Sequence, residues 1–496
     1  MGLIARESFW NSVSTYASIG LAAFNSVILV PRVFAIHPAE EWGLIQYLLG
    51  LVMMIGPLAH LGLPGSIVRF MPWFREKGKP EFLWLVTVIV SISFSLLAAG
   101  FVIFYFFLRP EPETPTLTTR FLPLILPMLA GNTLMTIAGS FAKAHYKTIM
   151  AVLVKELPLR VITSILLILY GLYWIDFEIF ILVYVLTFLV KGLVMLFFVI
   201  RSRELSYRWP LRFPAKETTR DILVFTFFSF LGGEASAIVG KIDVILIKQF
   251  FDLKEVAYYS IPFYAASLIA APMRSIAAIS FTLISDYWRQ NRMDKLQELY
   301  SQTAINQLLI SGFIFLVVWL NVDVLMFILG EKFGTEAAKW VFLLVSLGQL
   351  INSASGVNGQ IISASKHYRF GLYVQLILLV LTVIFQLIFI PKMGIVGAAL
   401  GAGLAVAVFN VIKAMFLRYK FHLRLMNRAY YRAMLLLLVP LLLSYLTDSL
   451  FDLIWIRMGV RIAIVSLVFY LGIYLGGISP EIKKFIQKTT RKVFRT

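Results

Sequence analysis

Residues 178–220 read EIFILVYVLTFLVKGLVMLFFVIRSRELSYRWPLRFPAKETTR. Up to Ile200 the run is apolar except for Glu178 and Lys191. It is long enough to cross a ~30 Å hydrocarbon core as a helix, which takes about 20 residues. From Arg201 onward six cations (Arg201, Arg203, Arg208, Arg212, Lys216 and Arg220) mix with Trp209, Pro210, Phe213 and Pro214. An apolar run that ends in a basic, aromatic connection reads as a membrane span reaching the side where positive charge collects.

The same pattern recurs along the chain. Fourteen apolar stretches of this kind lie near 10–32, 42–63, 82–108, 121–142, 149–173, 178–200, 222–247, 257–284, 300–320, 339–363, 370–390, 394–416, 433–449 and 460–478. With the N-terminus placed inside, the inner segments hold 29 of the 45 Lys/Arg. The outer segments, taken with the outer ends of the spans, hold 9, and 7 lie within spans. Acids divide 10 inside, 13 outside and 3 within spans. The formal net charge of +19 therefore belongs to the inner face, as the positive-inside rule requires. A pI near 9.9 needs no nucleic-acid partner once topology accounts for it. The expectation is an all-α polytopic protein of the inner (plasma) membrane with both termini cytoplasmic.

Composition agrees. Sixty per cent of the residues are apolar and 14% are charged, outside the range of soluble domains. Fourteen spans would use about 310 positions, which leaves no loop long enough to fold separately. With no cysteine, disulfides and thiolate metal sites are excluded. The five histidines have no metal-ligand spacing, and Gly78-Lys79 runs into Pro80 rather than completing a phosphate-binding loop. No cofactor and no metal are expected. The outer connections 109–120 and 321–338 are too short to carry the catalytic acids of a glycosyltransferase or polymerase, so an enzyme is not expected. The first apolar stretch has no small-residue cleavage pattern behind it and is expected to stay in place.

The linker at 201–220 divides the chain into an N-terminal block, 1–200, and a C-terminal block, 221–420, followed by 421–496 with two extra spans and a basic tail. The blocks carry echoes of one another. Pro57 and Trp73 recur as Pro272 and Trp288, and His145-Tyr146-Lys147 recurs as His367-Tyr368-Arg369. Equal span count and equal polarity make them parallel repeats, an arrangement that places a substrate site between the halves. In the tail, Ile482, Phe485, Ile486, Val493 and Phe494 oppose Lys483, Lys484, Lys488, Arg491, Lys492 and Arg495. That pattern suits a surface helix on anionic lipids.

Ionisable groups at membrane depth are the site candidates, because each costs at least ~2.5–3.5 kcal/mol at a helix centre. They are Lys155, Glu156, Arg160, Lys191, Glu234, Lys241, Asp243 and Arg274. Five unpaired cations would cost roughly 12–17 kcal/mol, so they must face one another, water or a ligand. Glu156 and Arg160 are i,i+4 and can pair, or Arg160 can face a cavity. Glu234 and Lys241 share a stripe if the seventh span is one helix. Asp243 then lies across from Glu234, near the outer end, where it can reach the interface or bind a coupling ion. Arg274 follows Pro272, whose ring bends a helix and frees a carbonyl. Lys191 is too deep to snorkel out. On the tenth span Gln349, Asn352, Ser353, Gly356 and Gln360 form a polar stripe that would serve as interhelical glue or contact sugar hydroxyls.

Four stretches carry a resemblance: GLPGSIVRFMPWFREKGKPE (62–81), EVAYYSIPFY (255–264), MFILGEKF (326–333) and SASKHYRFGLYVQLILLVLTVIFQLIFIPKMGIVGAALGAGLA (363–405). With these the chain resembles the multidrug/oligosaccharidyl-lipid/polysaccharide exporter superfamily, in particular its Wzx-like polysaccharide flippase branch. The resemblance implies two six-helix lobes around a central cavity, with alternating access. It also implies export of an undecaprenyl-pyrophosphate-linked oligosaccharide, often coupled to a cation gradient, alongside a polysaccharide polymerase and glycosyltransferases. Drug-exporting members carry an acid in the first or seventh span. Here the first span offers Asn11, Asn25 and Ser26 and no acid. Lipid II flippases line the first lobe with arginines, whereas Arg32 and Arg69 stand only at span ends.

Substrate-contacting candidates are therefore Arg274, Arg160, Lys191, Lys155, Lys241, Glu234, Gln349 and Asn352, with Glu234 and Asp243 as coupling-ion candidates. The rival reading is a multidrug antiporter of cationic molecules that uses Glu234 and Asp243. A polymerase or ligase comes third.

Overall fold

The computed structural model describes residues 14, 17–76, 81–108, 116–145, 148–201, 214–445, 453–484 and 487. Among them there is no β-strand, and helices coincide with every expected apolar stretch. Among the described residues, ten helices are long and apolar enough to cross a membrane by length and composition. The protein is a multi-pass, all-α membrane protein.

It forms two compact units, Met1–Ser260 and Ile261–Thr496. The first contains α1 (Ala17–Ile36), α2 (Ala39–His60), α3 (Leu63–Glu76), α4 (Glu81–Ile103), α5 (Leu117–Ala144), α6 (Thr148–Gly171), α7 (Phe177–Arg201), α8 (Lys216–Val239), α9 (Ile242–Phe250) and the start of α10 (Leu253–Ser267). The unit boundary falls well past the expected 201–220 linker, of which residues 202–213 lie outside the described residues. Packing explains why α8 belongs here: Ile222 is fully buried in the core formed by Leu63, Ile67, Phe74, Phe82 and Met195. Ser66 and Thr226 share a hydrogen bond at 2.6 Å. Gly62 has φ +78°, and a Cβ there would stand 2.5 Å from Phe230 N and Thr226 O. Only glycine permits both that backbone turn and that approach.

The second unit continues with α11 (Ala271–Arg289), α12 (Met293–Trp319), α13 (Val322–Phe333), α14 (Glu336–Ala354), α15 (Asn358–Ala364), α16 (Tyr368–Phe421), α17 (Arg428–Tyr445) and α18 (Ile454–Tyr474). At ~1.5 Å per residue, the 54 residues of α16 are far too long for one crossing. Gly394 (φ 59°, ψ −137°) breaks it, and a Cβ on Gly397 would stand 2.2 Å from Phe389 O. The arms therefore fold back on each other as the two expected spans, 370–390 and 394–416. Ile284, Leu296, Tyr300, Val357, Ile361 and Leu417 form a buried core within the unit.

Several expected continuous spans are broken. The seventh stops at Val239 and restarts at Ile242, with Lys241 non-helical (φ −141°, ψ −6°). The helical-wheel relationships drawn among Glu234, Lys241 and Asp243 do not hold across that break. The tenth ends at Ala354 and restarts at Asn358, with Gly356 at φ +60°. Gln349, Asn352 and Ser353 are thus on a different helix from Gln360, and the polar stripe is not one helical face. The eighth divides at a 3-10 turn, Leu268–Ala270, just before Pro272 in the first turn of α11; there the proline acts as expected. Pro57 precedes its break, the left-handed Leu61-Gly62 turn, whereas Pro272 follows its own. The basic tail begins as helix at 480–484, and most of its remainder lies outside the described residues.

Candidate functional site

Charged residues of the first unit cluster on α5, α6 and α7. The α5 and α7 backbones meet through glycine. A Cβ on Gly131 would stand 2.2 Å from Phe188 O, and one on Gly192 would stand 2.7 Å from Gly131 O. The buried stripe of α7 that makes this contact is Phe188, Lys191, Gly192 and Met195, spaced i, i+3, i+4, i+7 as one helical face. Lys191 is therefore locked into the packed face, only 5% exposed, with Nζ 3.9 Å from the centroid of the Phe188 ring. It does not snorkel, as its depth in the sequence required.

On α6, Arg160 Nη2 lies 3.8 Å from Glu156 Oε2, and Lys155 Nζ lies 4.0 Å from Glu156 Oε1. Pro158 leaves α6 continuous, so the i,i+4 pairing survives. The Arg160 side chain keeps 31% of its surface exposed and Glu156 keeps 41%, so the pair opens onto space rather than closing on itself. Lys191 is within electrostatic range of Glu156, Lys155 and Arg160, and Lys155 is within range of Lys143 at the end of α5. Three cations, Lys155, Arg160 and Lys191, thus act on Glu156, and Lys143 adds a positive charge within range of Lys155. That arrangement repels itself in a low-dielectric setting and is eased by an anionic ligand.

The first helix fixes this cluster from the other side. Asn25 Nδ2 donates to Arg160 O at 3.0 Å, and Ser164 Oγ donates to Asn25 Oδ1 at 2.7 Å. Asn25 opens a π-helical turn, Asn25–Leu29, a feature often found at functional positions.

The other candidates are placed differently. Asp243 is not at an interface: it is 3% exposed, accepts from the Tyr259 hydroxyl at 2.6 Å and accepts from Val244 N at 2.8 Å. Lys241 stands at the break before α9, partly exposed. Glu234 on α8 and Arg274 on α11 have helical backbones, and their side chains lie outside the described residues. In the second unit Asn352 accepts from Asn410 Nδ2 at 3.2 Å and Ser311 donates to Ser353 at 3.0 Å, so these two members of the stripe act as interhelical glue. Gln349 is half-buried.

Sequence reasoning passed over two buried cations. Lys413 and Arg461 are each 7% exposed, although they fall near the ends of expected spans, where snorkelling is the ordinary outcome. Arg461 donates to Leu320 O. The signal that could have found Lys413 is its spacing of three from Asn410, which puts two polar groups on one face of an otherwise apolar arm.

The protein is a helical membrane protein with broken spans and an excess-cationic cluster in its first unit. The sequence profile of the polysaccharide biosynthesis protein family matches residues 4–288, more than half of the chain, and that of the MatE family matches residues 235–388. The chain belongs to the polysaccharide biosynthesis protein family, within the multidrug/oligosaccharidyl-lipid/polysaccharide exporter superfamily. A curated relative, the probable low-salt glycan biosynthesis flippase Agl15 of Haloferax volcanii, is 23% identical over 212 residues. That alignment covers 42% of this chain and less than half, 44%, of the relative. Among solved structures, the lipid II flippase MurJ in an inward closed conformation superposes with a TM-score of 0.71 at 18% identity, covering 94% of this chain and 99% of that one. An inward-facing multidrug resistance MATE family transporter gives 0.57 at 14% identity, covering 82% and 94%. At these identities the solved structures establish the fold alone. The family and these relatives are transporters and flippases rather than catalysts.

Proposed function

We propose that this protein is a flippase for a polyprenyl-pyrophosphate-linked oligosaccharide, moving the precursor of a surface polysaccharide across the inner (plasma) membrane by alternating access. The observation that carries this reading is the cluster of Lys155, Arg160 and Lys191 about Glu156, with Lys143 within range of Lys155. A pyrophosphate brings negative charge into a low-dielectric space, where cations are worth far more than at a surface. Arg160 offers a planar fork suited to phosphate oxygens, and Lys191 offers a point charge held by Phe188. Arg274, beside the Pro272 bend of the second unit, is proposed separately as a further substrate contact. The 29-to-9 division of cations supports cytoplasmic termini. Lipid-linked glycan is the partner, and a polymerase and glycosyltransferases would act before and after it.

Antiport of cationic drugs is less well supported. It needs an available acid, and Asp243 already accepts from Tyr259 and Val244.

The test is complementation of surface polysaccharide in a flippase-deficient strain, with immunoblotting of the membrane fraction. The wild-type chain should restore export, and Arg160→Ala should abolish it at normal abundance. Restored drug resistance without restored polysaccharide would overturn the assignment.

A further inference from the structure

Lys413, on the second arm of α16, stands in the second unit with no described counter-ion. It is 7% exposed, and its Nζ lies 3.7 Å from the centroid of the Phe409 ring. Among the described residues no carboxylate pairs with it, and burial alone bears on its charge. This differs from Lys191, which has Glu156 within range. A buried, unpaired ammonium is costly, and an aromatic face offsets only part of that cost.

The surroundings are polar and shaped. Asn358 Nδ2 donates to Asn410 Oδ1 at 3.1 Å, and Asn410 Nδ2 donates to Asn352 Oδ1 at 3.2 Å and to Val406 O at 3.0 Å. This ladder of three amides ties α14, α15 and α16 together, one helical turn from Lys413. Beside the ammonium is Gly359, where an added Cβ would stand 3.6 Å from Nζ. Gly359 puts no side chain against that flank of the charge, and it follows the helix break at Ser355–Val357.

We propose that Lys413 is an oxyanion-binding residue, receiving a carboxylate or a phosphate oxygen in the space beside Gly359, with the asparagine ladder holding the three helices in register around it. The site lies wholly within the second unit and does not depend on the flippase reading. Its ligand would be either the carboxylate of an acidic sugar or a phosphate group, which present the same charged oxygens. An ammonium on an aromatic platform supplies a point charge for one such oxygen.

The experiment reads binding directly. Full-length protein carrying Arg160→Gln and Lys191→Met, which silence the cluster in the first unit, is purified in detergent. Its thermal unfolding midpoint is titrated with sodium glucuronate or sodium phosphate, with glucose and with sodium chloride at matched ionic strength as controls. The same titrations are run on Lys413→Met and Lys413→Arg in that background and in the otherwise native chain. The expected result is stabilisation by at least one of the two anions, and not by the controls. Lys413→Met should unfold at a higher temperature without ligand, because an uncompensated charge is gone, yet bind the anion at least about tenfold more weakly. Lys413→Arg should stay within about threefold of the parent, since it keeps the charge. A response to glucuronate alone identifies a sugar acid, a response to phosphate alone identifies a phosphate group, and a response to both identifies an oxyanion site without discrimination. The proposal is overturned if neither anion shifts the parent, if Lys413→Met responds as the parent does, or if Lys413→Arg loses the response. Failure of the native chain to restore export in the complementation assay, with this response intact, would count against the flippase reading alone.

Discussion

Tyr259 donates its hydroxyl to Asp243 Oδ2 at 2.6 Å, sixteen residues away and across the turn between α9 and α10. Both side chains are buried, and the other carboxylate oxygen accepts from Val244 N. Asp243 is therefore a satisfied structural acid that joins two helices. Removing one partner of a buried bond costs more than the bond itself is worth, because the group left behind stays desolvated. Tyr259→Phe is expected to destabilise the purified protein by about 1–3 kcal/mol. Asp243→Asn, whose oxygen can accept from Val244 N while its Nδ2 donates to the Tyr259 oxygen, should cost less. Thermal unfolding of both variants checks the order, and a Tyr259→Phe protein as stable as wild type would show that the bond is not formed.

A pair of glycines separates packing from flexibility. Gly62 combines φ +78° with backbone of α8 at 2.5 Å from where its Cβ would be, whereas Gly100 on α4 has nothing within 4 Å. Gly62→Ala should lose at least ~2 kcal/mol through left-handed strain and overlap with Thr226 and Phe230. Gly100→Ala should be neutral or gain up to about 1 kcal/mol of helix propensity. Equal unfolding midpoints for the two variants would contradict the close α3–α8 approach.

These contrasts mark what could be read from the chain alone. The spans were legible because each is a run of about 20 apolar residues, a signal strong enough to stand without neighbours. The breaks at Lys241, Leu268–Ala270 and Gly356 were only partly legible. Pro272 announced its own, whereas Gly240 and Gly356 at the other two are small residues that continuous spans also carry. For the site, Glu156 and Arg160 were readable as a pair because i,i+4 spacing is local. The partnership of Asp243 with Tyr259, the bond from Asn25 to Arg160 O across 135 residues and the unpaired burial of Lys413 all depend on which helices meet. Periodicity carries no information about that.

Topology has its own test. The inner segments with their 29 cations include Lys79 and Arg212, which lie outside the described residues, and Lys420 at the end of α16. Fusions after each of these to a reporter active only in the periplasm should be silent. Activity at any one of them would refute cytoplasmic termini and the fourteen-span reading.

Burial ranks the cations of the first unit by expected effect on export. The Lys155 side chain is 56% exposed, so solvent or lipid headgroups can replace any ligand it holds, and exposed ion pairs are worth ~0–1 kcal/mol. Lys191 is 5% exposed and packed on Phe188, where a lost interaction with phosphate has no substitute; charged hydrogen bonds are worth about 1.5–3 kcal/mol. Lys191→Met should therefore lower export by roughly 10- to 150-fold, and Lys155→Gln by less than about fivefold. Lys191→Met fills the same volume without a charge, so its membrane abundance should match or exceed wild type. Abundance thereby separates a substrate role from a folding role, since a merely structural lysine would lose abundance and export together. The measurement is polysaccharide at the cell surface normalised to protein in the membrane fraction. If Lys191→Met exports at the wild-type rate while Lys155→Gln fails, the anion sits at the exposed rim rather than against the α5–α7 face.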